Sequence, residues 1–265
     1  AALEIDANDM EAAMSLGELL YEKDRSDEAL HWFQHAHALN PDVGPPLVNC
    51  GLCQLQAGRL RQAVDLLVEA TNRFSDSTEA FNGLGSAYLR QGQYAKSIQA
   101  HVRARAINPD NPDTLARLAI AIISTGRFEA DELIGITRRA VELGPELVTA
   151  HWAHAQALSN VGDAAGAKAH MQQAAEIGGG EHAGTMLSFA GILEALGFRS
   201  EALDAYKAML AVHPKHAHAI SRVVDLKLTT CDWADYEAWV GDLLASVERT
   251  VRDRDPLNIV AQDLH

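Results

Sequence analysis

The sequence lacks any long apolar run. No stretch approaches the roughly 18 residues that a helix needs to cross a bilayer. It also lacks basic excess: 36 Asp and Glu outnumber 22 Lys and Arg, for a net charge of −14. That balance argues against a generic nucleic-acid or anionic-membrane surface, although a local basic groove is compatible with it. Cysteine is scarce. Cys50, Cys53 and Cys231 are an odd number in 265 residues, which suits a reducing compartment better than a disulfide scaffold. No secretory signal pattern is present, and no glycine-rich phosphate loop follows a strand, because no segment reads as a strand. The expectation is a soluble, cytoplasmic chain with no membrane or nucleic-acid partner, no cofactor and no metal.

What is present is a repeat. In Thr78 to Asn111, Phe81, Leu84, Gly85 and Tyr88 fall at i, i+3, i+4 and i+7, one face of a first helix. Gly92 breaks the chain. Ser97, His101 and Ala104 then mark one face of a second helix, which Pro109 stops. Gly85 and Ala104 are small enough to let two helix backbones approach closely. The Leu84-Gly85, Tyr88 and Pro109 pattern resembles the tetratricopeptide repeat. One such unit cannot bury its apolar face, since helices of about 14 residues are marginal alone, so copies are expected on either side.

They are there. The opening, Ala-Ala-Leu-Glu-Ile-Asp-Ala-Asn, matches the end of a repeat's second helix, so the natural protein is expected to extend upstream. Met10–Val43 carries Leu16-Gly17, Leu20, Ala29, Phe33, Ala36 and Pro41, with Ser26 as an N-cap. Gly44–Ser77 carries Gly51, Gly58, Ala63, Leu67 and Ala70. Pro112–Leu147 keeps the pattern but needs about two extra residues near Phe128–Leu133 to hold a period of about 34, which predicts a longer turn there. Val148–Glu181 ends in Gly178-Gly179-Gly180, which predicts a looser joint. Ala183 to about His216 restores the pattern. After Pro214 it fades. Ala217–Thr229 reads as a seventh first helix. Asp232 then reads as the N-cap of a capping helix with Trp233, Trp239, Leu243, Leu244 and Val247 on one face.

The expected fold is all-α: a right-handed superhelical solenoid of six to seven tetratricopeptide repeats with a C-terminal capping helix. Residues 1–216 would be repeats, the first truncated. Residues 217–253 would be a degenerate repeat and cap, and 254–265 the start of a linker to a further domain.

A narrower resemblance lies in Cys231-Asp232-Trp233-Ala234-Asp235-Tyr236, followed by a helix and Asp255-Pro256-Leu257. It looks like the junction in protein O-linked N-acetylglucosamine transferases and their bacterial and Spindly-type relatives, where a repeat superhelix precedes nucleotide-sugar-binding domains. Those domains would follow His265, so the resemblance implies a substrate-recruiting arm with no catalytic residue of its own.

In that family the concave groove carries asparagines that hold an extended peptide, a task for a side chain that donates and accepts at once. The position before the signature Leu-Gly pair holds Ser15, Asn49, Gly83, Arg117, Ala153 and Ser188. Only Asn49 matches, and Asn82 sits one residue off. The carboxylate clamp of chaperone adaptors needs lysine, and Met14, Glu18, Val48, Leu52 and Asn82 supply none. Arg90, Arg117, Trp152, Gln156 and Asn160 complete the candidate groove, Arg with Trp being the usual make-up of a binding hot spot. Trp152 fits packing between repeats equally well. Cys50-x-x-Cys53 sits at helix packing positions, without a second pair to complete a zinc site. His151 with His154, and His213, His216 and His218, have no third ligand at fixed spacing, and read as surface or inter-helix residues. The expected function is a protein-interaction module that binds a peptide or partner protein. The alternative is a free-standing scaffold that self-associates.

Overall fold

The computed structural model describes residues 9–178, 183–195 and 197–253. Every regular element among them is a helix, and the helices alternate as partners in pairs. The first pairs are α1 (Met10–Glu22) with α2 (Ser26–Leu39), α3 (Gly44–Gln56) with α4 (Leu60–Arg73), α5 (Thr78–Arg90) with α6 (Tyr94–Ile107), and α7 (Pro112–Ile123) with α8 (Ala130–Leu143). Then come α9 (Val148–Asn160) with α10 (Ala164–Ile177), α11 (Ala183–Ala195) with α12 (Arg199–Val212), and α13 (Ala217–Thr230) with α14 (Tyr236–Asp253). The chain divides within α9 into two compact units, Ala1–Ala153 and His154–His265. The truncated repeat expected over 1–8, the glycines at 179 and 180, and the linker expected over 254–265 lie outside the described residues.

Local chemistry sets the helix starts. Asp9, Ser77 and Asn111 each accept backbone N–H bonds from the first turn of the helix that follows, satisfying donors that the helix itself cannot. Pro112 occupies the first helical position of α7, where its missing N–H is harmless. Within each pair the chain reverses through a left-handed residue. Gly58 and Gly92 hold it at φ +75° and +72°, and Asp24 holds the same place in the first pair at φ +58°. The turn between α7 and α8 spans 124–129, six residues, against three at 91–93 between α5 and α6. The insertion is therefore absorbed in that turn, and the helices keep their register.

In the first unit the pairs close on a repeated contact between a glycine and a large side chain. A Cβ added to Gly17 would lie 2.6 Å from the Phe33 ring, and one on Gly51 2.6 Å from Leu67 Cγ. One on Gly85 would lie 2.5 Å from His101 Nε2. The two helices of a pair thus approach as closely as the missing side chain allows. Phe33 and Leu67 are fully buried, and each such burial stabilises by roughly 1.5–3 kcal/mol.

The second unit has its own core, with Leu193, Tyr206, Met209, Ile220 and Val223 at its centre. Its end differs from expectation. Asp232 does not cap α14, which starts at Tyr236. One oxygen of Asp232 instead accepts the Ala234 N–H at 3.0 Å, and the other accepts from Lys227 Nζ at 2.7 Å. Lys227 is 1% exposed and also donates to the Ala234 carbonyl. A buried ammonium needs such partners, and that need outcompetes capping. The single apolar face expected on the last helix also divides. Trp239 and Leu243 pack on the core, whereas Trp233, Leu244 and Val247 are 63%, 59% and 52% exposed. Ser26 is likewise not an N-cap. It begins α2, and its hydroxyl donates to Gln56 Oε1 at 2.7 Å, tying the first pair to the second.

Candidate functional site

The first helices of the first unit, α1, α3, α5 and α7, line two adjoining clefts. The smaller, about 210 Å³, is bounded by Glu18, Tyr21 and Glu22 of α1, Asn49 and Leu52 of α3, and Phe33. The larger, about 390 Å³, runs from Tyr21 past Leu52 and Leu55 to Glu79, Asn82, Gly83 and Ser86 of α5, and on to Asn111, Asp113 and Arg117. Tyr21 and Leu52 belong to both, so the two clefts form one surface. Burial holds the Tyr21 phenol above its ordinary range, with Cys53 adding to the rise and the Arg117 and Arg90 guanidiniums opposing it.

The structure treats the expected groove residues differently. Asn49 lines the smaller cleft, and no hydrogen bond engages its amide among the described residues. Asn82 borders the larger cleft but is itself buried. Its Nδ2 donates to Thr114 Oγ1 at 2.8 Å, and its Oδ1 lies 3.2 Å from His101 Nδ1, which donates to it. Asn82, His101 and Thr114 are all buried, so this amide joins α5, α6 and α7. Burial chiefly pushes the His101 imidazole down to about 4, because the charged ring would lose its hydration.

Arg117 lies on the cleft wall. Its Nε donates to Asp113 Oδ2 at 2.6 Å and its Nη1 to Ser86 Oγ at 3.0 Å. Arg90 is exposed and donates to the Leu55 carbonyl. Trp152 is half-buried near the end of the first unit, with a buried indole N–H that meets no acceptor among the described residues. Gln156 and Asn160 belong to the second unit, where the Asn160 amide donates to the Gln156 carbonyl at 2.8 Å. The structure therefore brings Asn49, Asn82 and Arg117 to one surface.

Sequence reasoning missed Tyr21, Leu55 and Ser86 as cleft residues. A positional signal existed. Glu18, Leu52 and Ser86 each follow the signature glycine directly, and Tyr21 and Leu55 come one turn after it. Successive helical residues turn by roughly 100°, so these positions share the open face.

Cys50 and Cys53 are buried, and burial pushes both thiols up to about 12. They are core groups at neutral pH, while Cys231 is exposed. His151 Nε2 lies 2.9 Å from the Pro145 carbonyl, and the His154 and His170 rings meet edge-on at 4.6 Å. Among the described residues no group of three His, Cys, Asp or Glu side chains could hold a metal ion. No described helix is long and apolar enough to cross a membrane.

Residues 51–112 match the tetratricopeptide repeat family. The TPR repeat-containing thioredoxin TTL4 of Arabidopsis thaliana is 30% identical over 103 residues, 39% of this chain and 15% of that protein. This chain spans under a fifth of the length of each curated relative it matches. Among solved structures, the APC/C heterotetramer Cut9–Hcn1 superposes with a TM-score of 0.71 at 14% identity, over 83% of this chain and 43% of that one. A tetratricopeptide repeat protein from Parabacteroides merdae superposes with a TM-score of 0.61 at 13% identity, over 96% of both chains. At such identities the likeness is one of fold. The signature glycines, the paired helices and these matches agree on the fold, an all-α array of tetratricopeptide-type helix pairs, and residues 51–112 match the repeat family itself.

Proposed function

We propose that the chain is a protein-interaction module that takes an extended peptide, or such a segment of a partner protein, on the first-helix surface of its first unit. The observation that carries this reading is the continuous cleft from Glu18 to Arg117. It combines apolar walls at Tyr21, Leu52 and Leu55 with polar groups at Asn49, Ser86 and Arg117. Apolar walls with a few placed polar groups are what a recognition surface requires. The free Asn49 amide can meet a peptide group with both a donor and an acceptor. The narrower assignment, the recruiting arm of an O-linked N-acetylglucosamine transferase-like protein, rests on Cys231-Asp232-Trp233 and its neighbours.

Selection of a random decapeptide display library on the full chain tests the reading. Binders should emerge, and Leu52→Glu and Arg117→Glu should each weaken them at least tenfold, while Val102→Glu on the exposed face of α6 should not. Arg117 pairs with Asp113 at the surface, where such pairs contribute little to stability. The folded fraction of Arg117→Glu should therefore stay unchanged by circular dichroism. Binders indifferent to both cleft variants would refute the site.

A second reading, self-association, is favoured by the exposed Trp233, Leu244 and Val247. On that reading the full chain sediments as an oligomer at micromolar concentration, and Leu244→Glu/Val247→Glu returns it to a monomer. A wild-type monomer under the same conditions refutes it.

A further inference from the structure

We infer that the smaller cleft is a pocket for one basic side chain, lysine or arginine, of the peptide that lies along the larger cleft. This inference rests on the proposed function and names the chemistry of the ligand.

Size comes first. At about 210 Å³ the smaller cleft falls below the roughly 300–1,000 Å³ of small-molecule sites. It suits a single long side chain. It also opens beside the larger cleft across Tyr21 and Leu52, where a backbone can run.

Charge decides which side chain. Glu18 and Glu22 stand four residues apart on α1, so their carboxylates share one face. Neither takes part in an ion pair among the described residues. Of the cations in the neighbouring turns, Arg25 holds Glu28 and Arg59 holds Asp27, while Lys23 is exposed and lines neither cleft. At the far end Arg117 is matched by Asp113, while Glu79 adds another carboxylate to the lining. The lining of the two clefts is therefore net negative, and two of its unpaired carboxylates, Glu18 and Glu22, share the small cleft. An acidic peptide would meet like charge there, which disfavours the wrong partner strongly.

The walls fit the same occupant. Tyr21 and Leu52 offer apolar surface to the methylene stem, and the Glu18 and Glu22 carboxylates line the same cleft for its charged head. Long basic side chains bury their stems and keep their heads polar in this manner. Asn49, beside Leu52, is free to hold the adjoining peptide group.

The test uses the full chain and its Glu18→Gln/Glu22→Gln variant. Both glutamates are exposed, so the variant keeps the fold. A random decapeptide display library is selected on each protein. Selection on the wild type should enrich lysine or arginine at one position, and selection on the variant should not. A synthetic binder with that residue replaced by norleucine should bind the wild type at least tenfold more weakly, yet bind the double variant as well as its parent does. Enriched peptides with no basic position, or a norleucine peptide held as tightly as its parent, overturn the inference. If Leu52→Glu still abolishes their binding, the cleft reading stands without it. Binders insensitive to Leu52→Glu and Arg117→Glu, or no enrichment at all, overturn the cleft reading and this inference together.

Discussion

Leu67→Ala is expected to destabilise the first unit by about 2–5 kcal/mol, the range for emptying a tightly held aliphatic site. Leu67 is completely buried. A Cβ on Gly51 would lie 2.6 Å from its Cγ, and one on Gly83 would lie 3.0 Å from its Cδ2. The side chain is thus gripped between the backbones of α3 and α5, one from its own pair and one from the next. Those helices are also held by Val48, Leu84 and Ala87, so they cannot close over the gap without breaking other contacts. The complementary change, Gly51→Ala, overpacks the same place and should cost about 1–3 kcal/mol. Gly51→Ala/Leu67→Ala puts a methyl where the leucine was removed. Its loss should fall short of the sum of the single losses by about 0.5–3 kcal/mol, the coupling expected of residues in contact. Repeat arrays can unfold piecewise, so urea unfolding followed by circular dichroism should be read beside hydrogen exchange of α3 to α5. A Leu67→Ala loss below about 1 kcal/mol, or strictly additive variants, would show that the two residues do not grip one another.

Acidification should weaken the fold through His101, by about 3 kcal/mol in all. His101 occupies in the third pair the place that Phe33 and Leu67 hold in the first two, facing Gly85 as they face Gly17 and Gly51. A polar ring there is fully buried, and its Nε2 meets no partner among the described residues. Burial, with a smaller push from Arg117 and a counter-pull from Asp113, moves it from the ordinary 6.5 down to about 4. As pH falls, the unfolded chain takes up the proton first. The stabilisation is therefore complete above about pH 6.5 and is lost progressively as pH falls towards about 4. Below that both states are protonated, and the difference is constant. At 1.36 kcal/mol per pKa unit, the change over that window is about 3 kcal/mol. The check is urea unfolding of wild type and His101→Leu across the window. The leucine variant leaves Asn82 one hydrogen bond short, a cost that does not vary with pH. Carboxylate titration is common to both proteins and cancels in their difference. The wild type should lose about 3 kcal/mol relative to the variant between pH 7 and pH 4, and parallel profiles would show that the ring is not held neutral by burial.

The repeat itself was legible in the residues. Gly17, Gly51 and Gly85 recur at one spacing, each followed at a fixed distance by Phe33, Leu67 and His101. A helix turns every 3.6 residues whatever surrounds it, so this periodicity alone identifies the buried stripe, the paired helices and the place of each turn. The extra residues before α8, and the placing of Cys50 and Cys53 at packing positions, follow from the same local rule. The groove could be read only in part. Asn49 and Asn82 look alike in the sequence, yet one residue of offset rotates a side chain by roughly 100°. That rotation leaves Asn49 open in the cleft and carries Asn82 into the seam between pairs, where His101 and Thr114 complete its hydrogen bonds.

The end of the second unit shows the same limit. Asp232 three residues before Asp235 has the spacing of a cap, but no local rule reveals that Lys227 is buried beside it. Trp233, Leu244 and Val247 are as apolar as Trp239 and Leu243, and packing alone decides that only the latter two meet the core. The sequence by itself determined the helices, their pairing and the core stripe, because these depend on neighbours a few residues away. Which polar groups are consumed inside, and which remain free to meet a partner, was decided by tertiary structure, because a side chain's partner belongs to whichever helix packs across from it.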